Sequence, residues 1–152
     1  MLMNFKNNIA KNGFTLVELI IVVIIVGILA SLGLTQYSSV VEKSRLAEAK
    51  VRVGVMRQLA YEYYLNNGGV SGIQQADVGV NNSCTTSDFF RYNVWNDGSA
   101  WYDLQAYRCT SSGKSPNASQ QYLFGVYFNP ITGATTWHCR YDDGSSCFGL
   151  PP

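Results

Sequence analysis

The hydrophobic pattern changes character along the chain. From Phe14 to Leu34 it is almost unbroken, reading FTLVELIIVVIIVGILASLGL with Glu18 as the only charge. At 1.5 Å per residue, about 20 apolar residues let a helix cross a bilayer. A buried core helix is the alternative, but a chain of 152 residues has too small an interior to surround such a rod. Beyond Leu34 the pattern becomes periodic. Leu46, Ala49, Val53, Met56, Ala60 and Tyr63 recur at alternating steps of three and four, which puts them on one helical stripe. Glu48 and Arg52 stand one turn apart, a favourable ion pair for a helix surface. Asn66-Asn67-Gly68-Gly69 is a stop signal, because Asn and Gly accept the left-handed conformation at a helix C-terminus. No proline interrupts Phe14 to Asn67. The expectation is one helix of about 50 residues, apolar all round in its first half and amphipathic in its second.

The period then shortens. Phe89–Trp95, Trp101–Cys109, Gln121–Phe128 and Ala134–Tyr141 are rich in Tyr, Phe, Trp, Val and Thr and read as strands. Asn96-Asp97-Gly98-Ser99 and Asn129-Pro130-Ile131-Thr132-Gly133 are hairpin turns between them. Short turns between sequential strands give an antiparallel sheet. Its apolar face is expected to cover the Leu46–Tyr63 stripe, an α+β arrangement. Gly68 to Ser87 reads as a loop from helix to sheet.

Composition narrows the function classes. The formal net charge of +1 removes the bulk attraction a nucleic-acid binder needs. The region from Gly68 onward is slightly acidic, with Arg91, Arg108, Lys114 and Arg140 against Asp77, Asp88, Asp97, Asp103, Asp142 and Asp143. Its aromatics suit a core better than a base-stacking platform. The single histidine, His138, argues against a His-based metal site or a Ser-His-Asp enzyme. No paired-carboxylate site, phosphate loop or nucleophile elbow occurs, so no enzyme, cofactor or metal site is expected. Cys84, Cys109, Cys139 and Cys147 lack the C-x-x-C spacing common in zinc sites. An even count suits two disulfides in an oxidising compartment, with three pairings possible. Asn117-Ala118-Ser119 matches a glycosylation sequon, a weak signal by itself.

The most specific motif lies at the head of the apolar run. A leader, MLMNFKNNIAKNG, carries Lys6 and Lys11 and no acid, which places its end of the chain in the cytoplasm by the positive-inside rule. Gly13-Phe14-Thr15-Leu16-Val17-Glu18 follows. A secretory signal peptide shares the basic start and apolar core. Here, however, the run is longer than usual, holds an acid near its start, and would be cut at Ile28-Leu29-Ala30 in mid-helix. The leader and motif resemble the class III signal of type IV pilins and type II secretion pseudopilins, closely from Lys11 to about Ala30. Beyond the helix, the likeness is one of architecture.

The resemblance implies a pilin-like α+β fold: one long N-terminal helix packed on a small antiparallel sheet with disulfides. It implies a leader, 1–13, that a prepilin peptidase removes between Gly13 and Phe14 before methylating the new Phe14 amine. Residues 14–34 would then be the transmembrane and filament-core half of the helix, 35–67 its amphipathic half, and 68–152 the globular head. Gly13 has no side chain to obstruct a protease. Glu18 is costly inside a membrane and is a functional candidate for that reason. It is placed to neutralise the Phe14 amine of its own or a neighbouring subunit, the assembly contact proposed for the family. The implied partners are other pilins in a homo- or hetero-polymer, the peptidase-methyltransferase, an inner-membrane assembly platform and the membrane itself. The implied location is the inner membrane, single-pass, and then a surface pilus. The runner-up is a periplasmic pseudopilin of type II secretion; a membrane-tethered binding domain is a weaker third. Cys139–Cys147 would match the C-terminal disulfide loop of many type IV pilins, with Cys84–Cys109 as its companion. Asp142 and Asp143 resemble the acidic loop that binds calcium in major pseudopilins, but offer few of the six to eight oxygens calcium wants. Many family members have Pro where this chain has Thr35, so local melting of the helix is less expected here.

Overall fold

The two hydrophobic patterns join in a single helix, α1, spanning Leu16–Asn67. The computed structural model describes residues 13–96, 98–117 and 120–152, and of residues 34–36 the backbone alone, which is helical. The leader lysines, Asp97 of the first hairpin turn, and Ala118 and Ser119 of the sequon lie outside the described residues. Gly68 ends α1 in the left-handed region (φ 67°), and its N–H donates to the Tyr64 carbonyl at 2.9 Å. The described residues fall into two units, divided after Val40.

The second unit is a helix-on-sheet layer. Strands β1 (Phe90–Trp95), β2 (Tyr102–Arg108), β3 (Tyr122–Phe128) and β4 (Thr135–Tyr141) form an antiparallel meander in sequence order. Each strand starts one residue later than its sequence signature, and β2 also ends one earlier. Ala49, Val53, Met56 and Ala60 of α1 are fully buried against Tyr102, Leu104, Ala106, Phe124 and Val126. Burying a Val or Met side chain stabilises by about 1.5–3 kcal/mol, so this stripe accounts for much of the helix–sheet adhesion. The expected Glu48–Arg52 pair does not form. Arg52 instead donates to the Gly79 carbonyl at 2.9 Å and lies over the Tyr92 ring. A backbone carbonyl and an aromatic face together outcompete an exposed ion pair, which contributes little in water.

Both sheet edges are covered in part. Tyr92 N–H of β1 donates to the Asn81 carbonyl at 3.2 Å. Along β4, Cys139 N–H donates to Pro151 O and Tyr141 N–H to Ser145 O. The loop before β1 and the C-terminal segment therefore occupy positions where another strand would add.

The face of the sheet away from α1 is also partly closed, by a polar row. Asn93, Gln105, Gly125 and His138 stand side by side across the four strands. His138 is buried, stacks on Tyr127 with centroids 4.2 Å apart, and has Nε2 3.0 Å from Asp103 Oδ1. Gly125 makes room for the ring. A Cβ there would stand 2.7 Å from His138 Nε2 and 2.8 Å from the Leu104 carbonyl, which belongs to the adjacent strand. Gly125→Ala is therefore expected to destabilise the unit by about 1–3 kcal/mol, as overpacking does. Denaturant unfolding of the full chain in detergent checks this; an unchanged midpoint would show that the strands yield freely.

Candidate functional site

The site starts with how α1 begins. Thr15 is its N-cap and Glu18 occupies the third helical position. Glu18 Oε2 accepts from the Thr15 N–H at 2.8 Å and from the Thr15 hydroxyl at 2.7 Å, while Glu18 N–H donates back to Thr15 Oγ1 at 3.3 Å. This is a capping box: each side chain satisfies a backbone donor that the first turn leaves unpaired. The acid in the first turn also complements the positive end of the helix dipole. Glu18 thus has a local partner, Thr15, which its reading as a membrane acid overlooked, although the Thr-x-x-Glu spacing is a helix-start signature. Gly13 and Phe14 precede the helix and are exposed, Phe14 being 78% accessible.

From Leu16 to Leu32, every large apolar side chain is exposed. This stretch is long and apolar enough to cross a membrane, and none of its most apolar window is buried within the chain. Water is a poor environment for so large an apolar surface. The segment requires lipid or other protein around it.

The second unit holds the remaining candidates. Cys84 is joined to Cys109, and Cys139 to Cys147. The first bond ties the loop before β1 to the end of β2. The second ties the C-terminal segment to β4. Each such bond stabilises a small domain by roughly 2–4 kcal/mol. Asp143 Oδ1 accepts from the N–H and hydroxyl of Ser145, at 2.8 and 2.6 Å, which lowers its pKa below the ordinary value and fixes the turn. Asp142 and Asp143 thus sit in an ordered turn. Among the described residues, no group of three or more acids, histidines or cysteines is placed to hold a metal.

A buried ionic centre ties α1 to the sheet within this unit. Arg108 is completely buried at the end of β2. Its Nε donates to Glu42 Oε2 at 3.0 Å, and its remaining nitrogens to Glu42 Oε1 and to the carbonyls of Phe89, Cys109 and Ser115. Glu42 also accepts from Arg45 and from the Tyr122 hydroxyl. Burial alone would push the Glu42 carboxyl up. The hydrogen bonds and charges of Arg108 and Arg45 outweigh it and hold the pKa below the ordinary value. For Tyr122, burial comes first and the Glu42 charge adds to it, so its phenol is raised strongly. Sequence reasoning missed this centre. The signal was present: strand alternation puts Arg108 on the same face as Tyr102, Leu104 and Ala106, and Glu42 lies one turn ahead of Leu46 on the buried stripe.

Comparison with known proteins fits this arrangement. The family described as prokaryotic N-terminal methylation motif matches residues 9–34. A fimbrial protein of Neisseria meningitidis serogroup B is 41% identical over 140 residues, covering 82% of this chain and 77% of that protein. A type IV major pilin protein, PilE1, of Neisseria gonorrhoeae is 28% identical over 143 residues, covering 84% of this chain and 74% of that one. No solved structure matches the chain significantly.

Proposed function

The chain belongs to the type IV pilin family, and from that premise we propose a specific life history for it. It is made as a precursor held in the inner membrane by residues 14–34, with its N-terminus in the cytoplasm. A prepilin peptidase cuts between Gly13 and Phe14 and methylates the Phe14 amine. An inner-membrane platform then draws the subunit into a type IV pilus, where residues 14–34 line the filament core, 35–67 carry the amphipathic half of the helix and 68–152 form the head. Its role is structural and not enzymatic, as for the pilins named above.

One observation carries this reading: an apolar helical surface from Leu16 to Leu32 without cover among the described residues, started by a single acid. Lipid satisfies that surface before assembly, and other subunits satisfy it afterwards. The acid is retained despite its cost in lipid because cleavage after Gly13 creates a cation, the Phe14 amine, for it to neutralise. The covered sheet edges favour the same route, since they discourage polymerisation by strand addition. Two relatives that span most of the chain are named as pilin and fimbrial protein, which favours a surface pilus over a secretion pseudopilus.

The experiment is a comparison of membrane fraction with sheared surface filaments. The wild-type chain is expected in both. Gly13→Val is expected to accumulate as uncut precursor in the membrane, with a fall in filament of tenfold or more. Its normal appearance in filaments would exclude a peptidase that needs Gly at this position.

A further inference from the structure

The two exposed flanks of α1 in the second unit differ. Measured from the buried Ala49–Ala60 stripe, Glu48 and Val55 lie roughly 110–130° to one side, and Arg57 and Tyr61 roughly 70–110° to the other. On the first flank a groove runs between α1 and the segment leading into β1, lined by Val51, Val55, Phe90 and Tyr92. Val51 is 71% exposed in it. Glu48 stands at the rim and, among the described residues, makes no hydrogen bond or ion pair, because Arg52 has turned to Gly79.

The second flank carries the β3–β4 turn. Ile131 is 62% exposed at its tip. The turn is stiff: Asn129 Oδ1 accepts from the N–H groups of Ile131 and Thr132 at 2.9 and 3.1 Å, and Gly133 N–H donates to the Asn129 carbonyl at 2.8 Å. Arg57 lines the same surface beside the turn and makes no ion pair among the described residues. An apolar tip on a stiff turn loses little conformational freedom on docking.

We propose that these two flanks are the halves of one contact between successive copies of this chain. Ile131 of one copy seats between Val51 and Val55 of the next, and its Arg57 meets the next copy's Glu48. The proposal rests on the reading of the chain as a polymerising subunit. The occupant is a second copy because the charges complement each other: two acids, Glu48 and Asp88, border the groove against one cation, Arg52, and a cation, Arg57, borders the tip. The patches are different surfaces on opposite flanks, so the contact is heterologous. Such a contact extends into an open helical array unless its rotation closes a ring. An exposed ion pair adds little affinity by itself; here it sets register, and the isoleucine excludes water.

The test uses full-length chain in cells that assemble it. Glu48→Arg and Arg57→Glu are each expected to cut sheared filament about tenfold while membrane-fraction protein stays at the wild-type level. The double exchange, Glu48→Arg with Arg57→Glu, is expected to restore at least half. Ile131→Asp is expected to resemble the single reversals. A photo-crosslinking residue at position 131 should attach to the Val51–Val55 peptide of another subunit in assembled filament. Normal filament from both single reversals, failure of the double exchange to rescue, or attachment elsewhere would each overturn the contact while leaving the polymer reading intact. Absence of filament from the wild-type chain would instead overturn the reading beneath it.

Discussion

Glu18→Gln is expected to leave the chain in the membrane at its normal level and to remove it from filaments. The substitution separates two roles of this residue. A Gln carbonyl can still accept from the Thr15 N–H, because either Glu or Gln completes a capping box. The start of α1 is therefore kept, and insertion becomes easier as the charge disappears. What is lost is neutralisation. On the proposed life history, cleavage after Gly13 would bring the Phe14 amine into an apolar filament core, where an uncompensated cation is strongly disfavoured. Glu18→Ala removes cap and charge together and should fail at least as badly. Glu18→Asp keeps the charge with a shorter reach and should assemble in part. Membrane-fraction and sheared-filament amounts, measured side by side, check the series. Normal filaments from Glu18→Gln with failure of Glu18→Ala would assign the residue's function to capping alone.

The second large effect concerns the head. Glu42→Ala is expected to destabilise it by about 3–5 kcal/mol, the usual cost of stranding a buried charge. Arg108 would stay fully buried, with the Phe89, Cys109 and Ser115 carbonyls as its only hydrogen-bond acceptors. Arg108→Met should cost less, about 1–3 kcal/mol. Glu42 is still 17% exposed and keeps Arg45 and Tyr122 as donors. The double variant Glu42→Leu with Arg108→Met should be more stable than Glu42→Ala, since neither charge is stranded. Denaturant unfolding of the full chain in detergent gives the order. Acid offers an independent check. The folded-state pKa of Glu42 is depressed, so its stabilisation is present above the ordinary value of 4.5 and is lost as pH falls through the lower folded value. Glu42→Gln should flatten that part of the stability–pH curve.

The helix, its stop at Asn67 and the order of the four strands were legible in the sequence, because each rests on a local pattern. The three-and-four spacing of Ala49, Val53, Met56 and Ala60 reports a stripe whatever it packs on. Strand ends shifted by single residues because ladder hydrogen bonds, and not composition, set them. The Glu42–Arg108 centre was harder to see, since its partners are 66 positions apart and only the register of β2 aims Arg108 inward. His138 shows a further limit. Alternation places it on the face away from α1, where exposure is the default, yet it is buried under Tyr127 and bonded to Asp103. In the candidate site, Gly13, Phe14 and Glu18 were singled out by their motif. The bond from Glu18 to Thr15 was encoded in the same six residues and was obscured by the acid's more conspicuous setting in an apolar run.

The most direct measurement of the central claim is the intact mass of the chain recovered from sheared surface filaments. The account predicts a polypeptide that begins at Phe14, heavier by one methyl group on the N-terminal amine and lighter by the hydrogens lost in two disulfides. A chain in those filaments that begins at Ser31, or one that retains the leader, would contradict it.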